Sequence, residues 1–141
     1  MNKKKALIIL PSYSTGGAEK VIWSYFENFK DSKISLKLLV VNAKGKCGNS
    51  KNKNIIELNF FRFIYAIPRV LNILKSENID VVISTFPNIS AILLFLKYFN
   101  IIKIKIIVRQ PNIIEKSLSG SLKLYILKII YKFFIKFTDA A

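Results

Sequence analysis

The stretch Ala6-Leu7-Ile8-Ile9-Leu10-Pro11-Ser12-Tyr13-Ser14-Thr15-Gly16-Gly17-Ala18-Glu19-Lys20-Val21 decides the fold. Its run from Ala6 to Leu10 is wholly apolar, which suits a parallel strand covered on both faces better than a strand with one wet face. Pro11 closes that run, and Ser12 to Gly17 is rich in turn residues. From Ala18 to Phe29 the apolar residues Val21, Ile22, Tyr25, Phe26 and Phe29 recur at helical spacing. Strand, glycine turn and helix in this order open a βαβ unit.

The same alternation continues along the chain. Leu36 to Val41 reads as a second buried strand, Asn42 to Asn54 as a surface loop crowded with Lys, Gly, Asn and Ser, and Ile55 to Leu58 as a third strand. Pro68 to Asn78 reads as a helix with Val70, Leu71, Ile73 and Leu74 on one stripe. Asp80 to Ser84 is a further buried-type strand, Ile89 to Phe99 an apolar helix, Lys103 to Val108 a strand, and Leu122 to Phe137 a closing helix. Strands and helices at this pitch predict an α/β fold, with right-handed crossovers around a mainly parallel sheet and helices on both faces. There is no repeat and no linker. With 141 residues and 52% hydrophobic content, the sequence is expected to form one domain with a core of its own.

Charge narrows the partners less than it first promises. Lys and Arg number 23 against 8 Asp and Glu, a net charge of +15, so an anionic partner fits; nucleic acid, anionic lipid and nucleotide phosphates all satisfy it. Most of these lysines read as solvated helix faces. No nucleic-acid signature is present, and Phe26, Phe29 and Phe134 fall on apolar helix faces rather than on a stacking platform, so a nucleic-acid partner is not expected. Cys47, the single cysteine, sits in the Lys/Gly/Asn-rich loop and reads as an incidental thiol. The basic start Met1-Asn2-Lys3-Lys4-Lys5 precedes an apolar run, but Pro11-Ser12-Tyr13-Ser14 interrupts it without a usable cleavage region. No stretch reaches the ~18 uninterrupted apolar residues of a spanning helix, so a cytoplasmic location is expected. The sequon Asn88-Ile89-Ser90 would stay unmodified there.

In sheets of this kind, ligands gather outside the carboxyl ends of the strands. Three polar loops fall at such ends: Pro11 to Gly17, Ser84 to Asn88, and Arg109 to Asn112. Gly16 and Gly17 directly precede a helix, where bare backbone can approach a phosphate and unpaired N–H groups point at it. An alternative stands beside that reading, in which the two glycines only make the tight turn and Glu19 complements the helix dipole. The pattern is neither the phosphate loop of NTPases nor the dinucleotide fingerprint. A third glycine is missing and no acid ends the second strand, which counts against an ordinary dinucleotide-binding domain.

Gly16-Gly17-Ala18-Glu19-Lys20-Val21 resembles the segment that opens the first helix in many family 4 glycosyltransferases. Asp80-Val81-Val82-Ile83-Ser84 is similar to a later strand of that family, Ile107-Val108-Arg109-Gln110-Pro111-Asn112 to the next strand and its polar loop, and Phe137-Thr138-Asp139-Ala140-Ala141 to the segment that leads into a further strand. The resemblance covers the whole chain and rests on the order and spacing of these motifs. It implies that residues 1–141 are the N-terminal, acceptor-side domain of a GT-B fold, Rossmann-like and incomplete at its C-terminus. A second domain would hold the nucleotide-sugar donor, and transfer would proceed with retention of configuration, without a metal or other cofactor. It also implies that Gly16 and Gly17 lie beside the donor diphosphate, where their backbone donors would stabilise charge on the leaving group. Arg109, Gln110 and Asn112 would meet a glycan or lipid-linked acceptor, with Arg109 suited to a phosphate.

The chain departs from the family in two places. It has no histidine, whereas many members carry one near the position of Gln110 or Pro111. Gln110 and Asn112 could hydrogen-bond a sugar hydroxyl, but neither serves as a general base near neutral pH, so no catalytic residue is assigned. The family's paired glutamates belong to the second domain. Glu19 and Glu27 share their spacing but fall about 80° apart on one helix at ~100° per residue, and read as a dipole-complementing residue and a solvated one. The isolated chain is therefore expected to be inactive in cell-surface polysaccharide synthesis. In the last helix, Lys128, Lys132 and Lys136 line up beside Leu127, Ile130, Tyr131, Phe134 and Ile135. That arrangement suits either a core-facing helix with a wet lysine stripe or peripheral attachment to the anionic inner face of the plasma membrane. A non-catalytic basic module for membrane surfaces or anions is the alternative to a transferase domain.

Overall fold

The computed structural model describes residues 3–13, 16–44 and 52–109. Cys47, Gln110, Asn112, most of the loop expected between strands two and three, and the helix expected at 122–137 lie outside the described residues. The described residues form, in chain order, β1 (Lys4–Ser12), α1 (Gly17–Asn28), β2 (Ile34–Asn42), β3 (Ile55–Glu57), α2 (Phe63–Ser76), β4 (Val81–Ser84), α3 (Pro87–Tyr98) and β5 (Lys105–Val108). The strands form one sheet in the order β3-β2-β1-β4-β5. Every named pair in it is parallel, with Ile8 opposite Leu38 on one side of β1 and opposite Ile83 on the other. This is a Rossmann-like α/β fold.

The strand order explains which face each helix covers. From β1 the chain steps outward to β2, whereas from β3 it crosses back over β1 to β4 and then continues to β5. Right-handed crossovers in opposite directions put their helices on opposite faces. The core divides accordingly. Ile22 and Phe26 of α1 pack with Ala6, Ile8 and Leu10 of β1 and Leu36, Leu38 and Val40 of β2. Ala66, Val70 and Leu74 of α2 and Leu93 and Leu94 of α3 pack with the alternate set Leu7, Ile9, Leu39, Val82 and Ile106. Apolar side chains from both faces of one strand are thus buried, which is why β1 reads as an unbroken apolar run.

Several boundaries differ from the sequence reading, each for a local reason. β1 extends through Pro11 to Ser12, because pairing with β4 stops at Ile9↔Ser84 and the missing proline N–H costs no bond on that side. At its other end, the Lys5 N–H donates to Asp80 Oδ2 at 2.8 Å and Lys5 Nζ to the Glu77 carbonyl at 2.9 Å. α2 begins at Phe63, five residues before the expected start at Pro68, which lies inside the helix. Proline is favoured in a first turn, so the sequence suggests a start there. Phe63 and Ala66 extend the buried stripe of Val70, Ile73 and Leu74, and that packing carries the helix through an exposed proline. In α3, by contrast, Pro87 occupies the first turn. α1 departs from its expected stripe: Ile22 and Phe26 are buried, but Val21 and Tyr25 are about half exposed.

α2 and α3 end in the same way. Asn78 and Asn100 adopt φ of 50° and 55°, the left-handed region. Asn78 N–H donates to Lys75 O and Ile79 N–H to Leu74 O, at 3.2 and 3.1 Å; Asn100 N–H and Ile101 N–H repeat the pattern to Lys97 O and Leu96 O, both at 2.9 Å. These are Schellman caps with asparagine where glycine is commonest, and they turn each helix back toward β4 and β5. Among the described residues, no helix is long and apolar enough to cross a membrane.

Candidate functional site

The direction of the sheet reverses at β1, whose neighbours β2 and β4 are reached by crossovers of opposite sense. At such a switch point the loops above the carboxyl edge part and leave a crevice. Residues after three strands converge there: Tyr13, Gly16 and Gly17 after β1, Thr85 and Phe86 after β4, and Arg109 after β5.

The first of these segments opens α1. Gly16 is its N-cap, extended at φ −62° and ψ 151°, and no side-chain cap hydrogen bond is made there among the described residues. The first turn closes with Lys20 N–H on the Gly16 carbonyl at 3.1 Å, so the N–H groups of Gly17, Ala18 and Glu19 lack intrahelical acceptors. Neither glycine is demanded by backbone strain, since an extended N-cap and a helical first residue are open to any amino acid. A Cβ built on Gly17 meets nothing within 4 Å among the described residues. Both readings of the two glycines stay open: they can make the strand-to-helix turn, or their bare backbone can let an anion approach the helix N-terminus. Glu19 lies in the first turn, half-buried, and Glu27 is exposed.

What holds this turn is a residue that periodicity does not reveal. Tyr13 is buried and its hydroxyl donates to Glu57 at the end of β3. Its ring also meets Trp23 of α1 edge-on at 5.6 Å, and Trp23 continues to Phe26 at 6.2 Å. In the sequence Tyr13 is one polar-loop residue among several. Its role depends on a partner brought near only by the β2–β3 pairing.

The loop after β4 carries a second hidden feature. Ser84 and Ser90 share a hydrogen bond of 2.8 Å between their hydroxyls, and Ser90 Oγ also donates to the Phe86 carbonyl at 2.9 Å. Both serines are fully buried, so this pair fixes the strand-to-helix turn. Between them, Thr85 is 5% exposed, and its Oγ1 is the single buried side-chain nitrogen or oxygen among the described residues without a hydrogen-bond partner. An unmade bond of this kind costs about 1–3 kcal/mol.

A cleft of about 700 Å³ lies between α1 and the adjoining face of the sheet. Ile22 and Tyr25 of α1 form one wall, with Ile8, Ile83 and Ile107 forming the other. Thr85, Val108 and Arg109 complete it at the strand ends. Of the residues read from sequence as candidates, Arg109 lines this cleft. Gly16 and Gly17 stand at the same edge of the sheet but do not line it, and Gln110 and Asn112 fall outside the described residues. The Arg109 N–H is fixed by the Ser84 carbonyl at 2.9 Å, while its side chain is exposed. Among the described residues, no three His, Cys, Asp or Glu side chains gather as a metal site would require.

No family model matches the chain, and no curated protein matches it significantly. Among solved structures it is similar to UDP-D-quinovosamine 4-dehydrogenase from Vibrio fischeri, at 15% identity and a TM-score of 0.45, over 87% of this chain and 98% of that one. The Rossmann-like assignment stands on the strand order and parallel pairing of this chain.

Proposed function

We propose that residues 1–141 act as the acceptor-side domain of a retaining glycosyltransferase of the family 4 type. A nucleotide-sugar donor, held by a second domain, would face the carboxyl edge of this sheet, and the sugar would pass to a glycan or lipid-linked acceptor of the cell surface. The observation that carries this reading is the uncapped start of α1. The N–H groups of Gly17, Ala18 and Glu19 precede the first intrahelical bond, and a Cβ at Gly17 would meet nothing within 4 Å among the described residues. Such donors can stabilise negative charge growing on a diphosphate leaving group without reorganising as it forms. Arg109 lines the adjacent cleft, and a guanidinium there could hold an anionic acceptor.

The test is turnover of labelled nucleotide sugars, with the chain alone and with a nucleotide-sugar-binding domain supplied by fusion. The expected result is no transfer by the chain alone, and transfer by the fusion that falls on Gly17→Val while acceptor affinity is kept. Turnover by the 141-residue chain alone would overturn the division of labour, and a Gly17→Val fusion of full activity would overturn the role of the glycine turn.

A further inference from the structure

We infer that α2 carries a docking surface for an anionic lipid membrane, in which Phe61, Ile64 and Tyr65 enter the interface and Arg62 and Arg69 meet the headgroups. The three phenylalanines of Phe60-Phe61-Arg62-Phe63 part company at the start of this helix. Phe63 is buried and Phe60 packs against the same core, whereas Phe61 is 81% exposed among the described residues. An apolar residue just before an N-cap often folds onto the fourth position of the helix. Here that position is the buried Ala66, and Phe61 stays outside with its ring under the Arg62 guanidinium at 5.7 Å. The helix continues the pattern. Ile64 and Tyr65 are 55% and 63% exposed and share an arc with the exposed Pro68, opposite the buried Ala66, Val70 and Ile73 at ~100° per residue.

Charge selects the occupant. From Leu58 to Ser76 there is no Asp or Glu, while Arg62, Arg69 and Lys75 are exposed. The acids that flank this stretch are engaged elsewhere, Glu57 by the Tyr13 hydroxyl and Glu77 by Lys37. A surface with aromatic and aliphatic side chains at its centre, arginines around them and no carboxylate complements anionic headgroups over acyl chains. Arginine and tyrosine suit that depth, since each has an apolar body and a polar tip. A second copy fits less well, because a twofold contact through this face would bring the arginines of both copies together. At 14 residues α2 is too short to span a bilayer, so it would lie on one. Because β3 runs into α2, Phe61 and Tyr65 stand at the carboxyl edge of the sheet, the edge that also holds Gly16 and Arg109.

Lipid attachment through α2 needs neither the glycine turn nor the cleft, so it holds or fails independently of sugar transfer. The full 141-residue chain is mixed with vesicles of phosphatidylcholine alone or with equal parts phosphatidylglycerol, and bound protein is measured by flotation. Binding is expected only to the anionic vesicles. Phe61→Ser with Tyr65→Ser should weaken it about tenfold, and Arg62→Gln and Arg69→Gln about fivefold each, with melting temperatures unchanged because all four side chains are exposed. Depth is read from Phe61→Trp in vesicles of brominated lipid. Trp23, the single tryptophan of the sequence, belongs to α1 on the opposite face of the sheet and serves as the internal control. The added indole should emit as a water-exposed group in the free protein, then shift to the blue and be quenched on binding, while Trp23 is not. Four results would each overturn the inference: no binding to anionic vesicles, binding without quenching at position 61, an indole there already shielded before lipid is added, or vesicle binding that the α2 variants keep and a Lys128→Gln, Lys132→Gln, Lys136→Gln variant loses. Loss of single-stranded oligonucleotide binding in the α2 variants, without vesicle binding by the parent chain, would overturn it in favour of a nucleic-acid surface.

Discussion

The Tyr13 hydroxyl donates to the carboxylate of Glu57, tying the end of β1 to the end of β3 across 44 residues of chain. Because the Tyr13 ring also packs on Trp23, one side chain couples both strands to α1 immediately ahead of the glycine turn. The position of the turn is thereby set by packing outside the turn itself.

Tyr13→Phe keeps the ring and removes the donor. A hydrogen bond to a charged group contributes about 1.5–3 kcal/mol, and partial exposure of this pair places the expected loss near the lower end. The urea midpoint of unfolding should fall with little change in slope. A double-mutant cycle with Glu57→Gln should show coupling, and strict additivity would mean that the bond contributes nothing.

Gly17→Ala separates folding from function. Gly17 is a helical residue with open space at its Cβ position, so alanine should stabilise the chain by up to about 1 kcal/mol. A fall in melting temperature would show that glycine is needed for the fold itself.

Glu77 gives the fold an acid dependence. Its hydrogen bond to Lys37 holds its carboxyl below the usual value of 4.5; burial opposes the shift, and the charges of Lys37 and Lys5 add to it. A carboxylate with a depressed folded-state pKa stabilises the protein above its unfolded-state pKa, and that contribution is lost as pH falls through the folded value. The pair is partly exposed, so its worth is about 0.2–1 kcal/mol. Glu77→Gln should accordingly destabilise the chain slightly at neutral pH and flatten its loss of stability below pH 4.5. Unfolding midpoints measured between neutral and acid pH would reveal the difference.

Asn78→Gly and Asn100→Gly should each raise stability. Both asparagines hold positive φ in Schellman caps, where glycine carries no Cβ penalty. The expected gain is at most about 1 kcal/mol per site, and thermal melts of each variant and of the pair should show roughly additive shifts.

The fold is legible in the sequence because burial on both faces writes itself as unbroken apolar runs, as in Ala6 to Leu10 and Leu38 to Val41. Boundaries are less so. Pro68 invites a helix start by local propensity, and the packing of Phe63 and Ala66 overrides it. Of the candidate site, Gly16, Gly17 and Arg109 can be located by their place at strand ends. The Tyr13–Glu57 tie and the unsatisfied Thr85 hydroxyl cannot, since each depends on which distant groups the sheet does or does not bring near. The exposure of Val21 and Tyr25 is hidden for the same reason, as they share helical spacing with Ile22 and Phe26, which are buried.

The central place of β1 governs the order in which the molecule can assemble. Its pairing with β2 needs only a short length of chain, but its other edge waits for β4, and Lys5 meets Asp80 only after 75 residues have followed. A nascent chain can therefore close the β1–α1–β2 half early, while the far edge of an apolar strand stays unpaired until the second half emerges. Non-local parallel pairing is slow, and an open strand edge invites pairing with other chains. The crevice between β1 and β4 is then among the last features to form, and slowed synthesis or truncation before residue 84 would leave a sticky edge in its place.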